Sequence, residues 1–169
     1  MPSVTPATRS DDDPDADPES VARTICLRLL TAAPKSRAQL AEALHRRNVP
    51  SAAAEAVLDR LTEVGLINDE AFAAAWVQSR HRGRGLACRA LAAELGRRGV
   101  QAEVADEAVH GLDPEQELQT ARELVRRRLA ATAGLPTATR VRRLAGLLAR
   151  KGYPAGVASQ IVREALEAQ

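Results

Sequence analysis

The side chains of this chain best equipped to act on a partner are its arginines. They number 22 against two lysines, and the planar guanidinium fork suits phosphate and carboxylate oxygens. Arg80, His81, Arg82, Arg84 and Arg89 flank Gly83 and Gly85; Arg126, Arg127 and Arg128 form a second group, and Arg140, Arg142 and Arg143 a third. Pairs recur at Arg46/Arg47, Arg97/Arg98 and Arg150/Lys151. At helix C-termini such pairs complement the dipole by about 0.3–1 kcal/mol, so capping and partner binding explain them equally well. Helix-end electrostatics does not account for Arg84 and Arg89, which favours binding for the glycine-flanked cluster. Trp76 and Phe72 read as core rather than as stacking platforms. GC-rich coding produces the same abundance of Ala and Arg, so composition alone proves no anionic partner.

The groups a catalyst needs do not assemble. His45, His81 and His110 are not paired by metal spacing. The chain has no His-Glu metal motif, no phosphate loop ending in Gly-Lys-Ser/Thr and no nucleophile elbow. Gly83-Arg-Gly85 lacks the third glycine of a dinucleotide loop and follows a helix, so it reads as a flexible inter-helix turn. Cys26 and Cys88 make neither a disulfide framework nor a zinc spacing and read as small buried hydrophobes in a reducing compartment. No enzymatic activity, cofactor or metal is expected.

Helices must position the arginines. Alanine supplies 34 residues and leucine 20, while aromatics are only 2%, a balance that favours helix over strand. A pattern also repeats. Leu40-Ala-Glu-Ala-Leu44-His-Arg46-Arg47-Asn48-Val49 returns 51 positions on as Leu91-Ala-Ala-Glu-Leu95-Gly-Arg97-Arg98-Gly99-Val100. It returns 53 positions further as Leu144-Ala-Gly-Leu-Leu148-Ala-Arg150-Lys151-Gly152-Tyr153. A period of about 50 residues marks a repeat architecture. Asn48, Gly99 and Gly152 fall where a Schellman stop needs left-handed backbone, each followed by an apolar residue that packs back on the helix. Pro50 and Pro154 then suit the opening of the next helix.

Capping signals place the remaining elements. Ser36-Arg-Ala-Gln39 is a capping box, and Asp113-Pro114-Glu115-Gln116 opens Glu117–Ala131 with proline at the first helical position. Asn68 or Asp69 caps Glu70–Arg82, Glu19–Thr31 leads the first group, and Gly65 closes the third helix. The sum is nine helices and no strands: an all-α chain of three tandem three-helix repeats, helix-turn-helix-like units in an elongated, curved array. Residues 1–18 are expected to be a disordered acidic leader, with the repeats at 19–67, 68–112 and 113–169. The first 20 residues carry −5 and the rest +7 within a formal net charge of +2. No apolar run approaches the roughly 20 residues of a membrane span, and a cytoplasmic monomer is expected.

The run Asn68-Asp-Glu-Ala-Phe72-Ala-Ala-Ala-Trp76-Val77-Gln-Ser79-Arg80, then Gly83/Gly85, then Leu91-Ala-Ala-Glu94-Leu95-Gly-Arg-Arg-Gly99-Val100 resembles the central signature of the RecX regulatory proteins. Leu58-Asp-Arg-Leu61-Thr-Glu-Val-Gly65-Leu66-Ile67 and Leu148-Ala-Arg-Lys-Gly152-Tyr153-Pro154 are also similar to that family, and the likeness spans about residues 21–168. Asn48 stands where glycine is usual. The resemblance implies a non-catalytic regulator that settles in the groove of a RecA–DNA filament. It implies inhibition of recombinase, ATPase and co-protease activities in DNA repair and the SOS response, with weaker, salt-dependent affinity for single- or double-stranded DNA. On that footing Arg80, Arg82, Arg84, Arg89, Arg97, Arg98, Arg142 and Arg143 are the candidates for contact with recombinase or phosphate. Two rivals stand beside it. Ser36–Ile67 has the look of a winged-helix DNA-binding transcriptional regulator, and a helical array also serves as a generic scaffold for some other protein.

Overall fold

A computed structural model describes residues 17–169, which form nine α-helices and one 3₁₀ turn and, among the described residues, no strand. The helices are α1 (Pro18–Ala32), α2 (Arg37–His45), α3 (Ser51–Glu63), α4 (Asp69–Arg84), α5 (Cys88–Arg97), α6 (Ala102–His110), α7 (Pro114–Leu129), α8 (Thr137–Arg150) and α9 (Ala155–Glu167). The acidic leader assigned to residues 1–18 lies outside the described residues except for Asp17 and Pro18. These two cap and open α1: the Asp17 carboxylate accepts from the Ser20 N–H, with proline in the first turn. The chain divides into two compact units, one ending at Asn68 and the other spanning Asp69–Gln169.

In the first unit α1, α2 and α3 pack on one another around Cys26, Leu40, Leu44 and Leu58, none of which is exposed at all. The capping box at α2 is complete. Gln39 N–H donates to Ser36 Oγ at 3.2 Å, and Ser36 N–H donates to Gln39 Oε1 at 3.1 Å. Because Ser36 is fully buried, an alanine there leaves the Gln39 amide with no replacement water. Ser36→Ala is therefore expected to destabilise this unit by about 1–2 kcal/mol, read as a lower urea midpoint. Arg37 ties the start of α2 to α3 by donating to Glu55 and Asp59, each at 2.7 Å. Past Gly65 the chain runs through Asn68 into α4. The hairpin that a winged helix requires after its recognition helix is thus absent among the described residues, and that rival is set aside.

The second unit holds two more three-helix groups, α4–α6 and α7–α9, each packed on itself. Phe72, Val77, Leu91, Leu95 and Val109 fill the first core; Val125, Leu144, Leu148, Tyr153 and Ile161 fill the other. All three motif helices end on the same hydrogen-bond pair. Val49, Val100 and Tyr153 N–H donate back to Leu44, Leu95 and Leu148 carbonyls at 3.2, 3.1 and 3.1 Å. Asn48, Gly99 and Gly152 N–H donate to His45, Gly96 and Ala149 at 2.9, 2.9 and 3.0 Å. The φ angles at these turning residues are +57°, +74° and +92°, the left-handed region open to glycine and asparagine. The same stop closes α3 at Gly65, with φ +78°.

Three boundaries move by two residues or more relative to the sequence reading. Helix α4 continues through Gly83 to Arg84, and α7 opens at Pro114 instead of Glu117 because Asp113 caps it, accepting from Glu115 N–H at 3.0 Å. Helix α7 also ends at Leu129, giving way to the 3₁₀ turn Ala130–Thr132.

Candidate functional site

The turn from α4 to α5 decides how the glycine-flanked arginines are presented, and it is held in place rather than flexible. Gly85 has φ +64° and is buried. A Cβ there would stand 3.0 Å from the tip of the Leu124 side chain and 3.3 Å from that of Thr120, so the backbone lies close against α7, and its left-handed conformation favours glycine. Four contacts from the third group clamp it. Tyr153 Oη donates to the Gly85 carbonyl at 3.1 Å, Lys151 Nζ to the Arg84 carbonyl at 2.8 Å, and Ala87 N–H to the Lys151 carbonyl at 2.9 Å. The Glu117 carboxylate accepts from Cys88 N–H at 2.7 Å; no side chain of its own caps α5, and this carboxylate from α7 takes that place. Beneath the turn, His81 is 2% exposed, with Nδ1 2.9 Å from the Leu86 carbonyl and Nε2 3.0 Å from the Thr120 hydroxyl. A carbonyl only accepts, so Nδ1 carries a proton.

Removing one clamp measures its share. Tyr153→Phe keeps the ring that fills the core but leaves the buried Gly85 carbonyl without its phenol donor. An expected loss of about 1–3 kcal/mol follows, read by chemical denaturation of the second unit.

On this clamped turn Arg82 and Arg84 are exposed and line an open groove of about 1080 Å³ between the end of α4 and the start of α7, with Arg127 and Lys151 also at its walls. Asp113, Glu115 and Glu123 lie along the same groove, so its charge is mixed. Being the last residue of α4, Arg84 is favoured by the helix dipole after all. Arg89 is not: it sits in the first turn of α5, where the dipole opposes a cation. The dipole gives no reason for Arg89 to be there.

The remaining candidates separate into held and open groups. Arg80 and Arg98 have their guanidinium carbons 4.3 and 3.7 Å from the centroid of Trp76. Trp76 Nε1 donates to Glu94 Oε2 at 2.9 Å, and Arg80 Nε lies 3.6 Å from the same oxygen. Trp76 is thus not simple core. It stacks on buried Phe72 with centroids 5.9 Å apart and presents the rest of its half-buried ring to two cations, an arrangement worth about 0.5–2 kcal/mol per pair. Arg97 is exposed at the end of α5, and Arg142 and Arg143 are exposed on α8. The structure brings Arg82 together with Arg84 and Arg80 with Arg98.

The Cys88 thiol beside the clamp is pushed up to about 11, first by burial and then by the negative charge of Glu117. The folded chain therefore holds this proton to higher pH than the unfolded chain. The stabilisation is complete below the ordinary thiol value of about 8.5 and is lost as pH rises through about 11. A fall in urea midpoint over that window is expected, reduced in Cys88→Ala. Among the described residues no three His, Cys, Asp or Glu side chains come together where they could hold a metal ion, and no helix is long and apolar enough to cross a membrane.

The three helical groups have counterparts in known proteins. Residues 22–61, 68–109 and 115–162 match the first, second and third three-helix domains of RecX. The regulatory protein RecX of Thermobifida fusca is 64% identical over 148 residues, covering 88% of this chain and 80% of that protein. This chain belongs to the RecX family. The regulatory protein RecX of Streptomyces coelicolor is 62% identical over 155 residues, 92% of this chain and 82% of that one. The crystal structure of RecX from Lactobacillus salivarius superposes with a TM-score of 0.81 at 16% identity, covering 88% of this chain and 96% of that chain. The RecX fold thus keeps its helices where few side chains are shared. The family is one of regulatory proteins.

Proposed function

We propose that this RecX-family chain regulates the RecA recombinase by binding the groove of the RecA–DNA filament, inhibiting recombination, ATP hydrolysis and co-protease action in DNA repair and the SOS response. It does so without catalysis, as a cytoplasmic monomer, with weaker salt-dependent affinity for DNA itself. The observation that carries this reading is the clamped turn. A turn tied down by Tyr153, Lys151 and Glu117 holds out Arg82, Arg84 and, one turn on, Arg89, and the energy of ordering that backbone is met within the fold rather than at binding. Arg97, Arg142 and Arg143 are the further exposed contacts, while Arg80 and Arg98 act from the face of Trp76.

The deciding experiment is RecA ATPase on single-stranded DNA with this protein titrated from well below the recombinase concentration. Inhibition supports the reading, at a small molar ratio if filament ends are the target and near equivalence if the groove is coated. Undiminished hydrolysis at equivalence, together with no retention on RecA filaments, overturns it in favour of a scaffold for another protein.

A further inference from the structure

A second convergence of arginines lines a cleft that shares no residue with the groove at the clamped turn. Arg128 lies in the last turn of α7, while Arg143 and Arg150 lie on one face of α8 with Leu147 between them. Together with Thr132 and Leu144 they line a cleft of about 340 Å³. Nearby, Arg126 and Arg127 both donate to Glu123, and Arg140 donates to Gln169. Arg128, Arg143 and Arg150 make no such bond among the described residues, and no acidic side chain lines the cleft. A place at a helix C-terminus gives Arg150 one electrostatic reason to be there. Its guanidinium instead folds back along α8, where a Cβ on Gly146 would stand 3.3 Å from Nη1. The floor is aliphatic. Leu144 belongs to the core of the repeat, whereas half-buried Leu147 packs outside that cluster.

We propose that this cleft binds an acidic protein segment carrying an aliphatic side chain. The side chain covers Leu147, and carboxylates on either side of it pair with Arg128, Arg143 and Arg150, for which the arginine fork is the fitting geometry. A phosphodiester backbone supplies the charge but no aliphatic group to shield the leucine from water, so the floor selects protein over nucleic acid. This goes beyond the filament reading and holds whichever protein supplies the segment.

The test is fluorescence anisotropy of the full chain with a labelled peptide in which Asp and Glu flank a central leucine. The same peptide with serine at the centre, and a single-stranded oligonucleotide of equal charge, are the comparators. Saturable binding is expected, weakened about tenfold or more by Arg143→Gln, by Arg128→Ala with Arg150→Ala, and by serine at the peptide's centre. Leu147→Ser is expected to weaken the peptide to a similar extent while leaving oligonucleotide affinity unchanged. Arg143→Gln changes only an exposed side chain and keeps the test sound should Leu147→Ser prove unstable. Equal affinity for the leucine and serine peptides, or no saturable binding, overturns the proposal. So does displacement of the peptide by the oligonucleotide with Leu147→Ser silent, the mark of a phosphate site. An R82A/R84A/R89A variant is expected to bind the peptide normally, which separates failure here from failure of the filament reading; loss of peptide binding in that variant also overturns this assignment.

Discussion

Gly152→Ala is expected to destabilise the unit spanning Asp69–Gln169 by about 3–5 kcal/mol, while Gly65→Ala destabilises the first unit by only about 1–2 kcal/mol. Both glycines end helices with positive φ, +92° and +78°, so both substitutions carry the strain of a left-handed alanine. The surroundings differ. A Cβ on Gly65 meets nothing within 4 Å, whereas on Gly152 it would lie 2.6 Å from the Ala90 Cβ and 2.8 Å from the Ala90 backbone nitrogen. Backbone atoms cannot rotate aside, so either α5 or the end of α8 must shift. That shift pulls directly on Lys151 and Tyr153, the residues on either side of Gly152 that clamp the turn below Arg84. Urea denaturation of the two variants checks the contrast. Equal losses would show that helix-stop strain alone matters and that the approach of Ala90 does not.

The two scales of this chain differ in how much of the structure a reader of residues can find. Helix and repeat are written locally. The capping box uses Ser36 and Gln39, three positions apart, and each Schellman pair closes over five residues or fewer. An all-α chain of three-helix repeats was therefore legible, as was the likeness to RecX. The clamp was not, because its partners are 29, 67 and 68 positions apart: Cys88 with Glu117, Arg84 with Lys151, Gly85 with Tyr153. Gly83-Arg-Gly85 looked like a flexible turn because nothing nearby constrains it. Lys151 read equally well as a cap for its own helix or as a partner contact, yet its ammonium serves the carbonyl of the last residue of α4. Trp76 shows the same limit in miniature. Its spacing from Phe72 signals a buried helical face, but Arg98 reaches the ring from the next helix, and only its recurrence beside Arg97 hinted at a role.

The substitution with the largest functional effect is the triple alanine at Arg82, Arg84 and Arg89. It is expected to raise the concentration needed for half-inhibition of RecA ATPase by about 100-fold or more. Charge-assisted hydrogen bonds are each worth about 1.5–3 kcal/mol, and a 100-fold loss corresponds to only about 2.7 kcal/mol, so two productive contacts among the three suffice. The fold should persist, since all three side chains are exposed and the turn is held through backbone atoms of Arg84, Gly85 and Ala87. An unchanged urea midpoint confirms that. The matched control is R46A/R60A/R126A, which removes the same charge from guanidiniums already engaged by Glu42, Glu63 and Glu123 and should leave inhibition within about twofold. If phosphate is what the three arginines meet, the slope of log affinity for single-stranded DNA against log salt should shrink by about 0.7 for each arginine removed. If recombinase carboxylates are met instead, inhibition falls while that DNA slope stays put. Full inhibition by the triple variant would remove the clamped turn from the interface, and equal loss in the control would reduce its role to that of net charge.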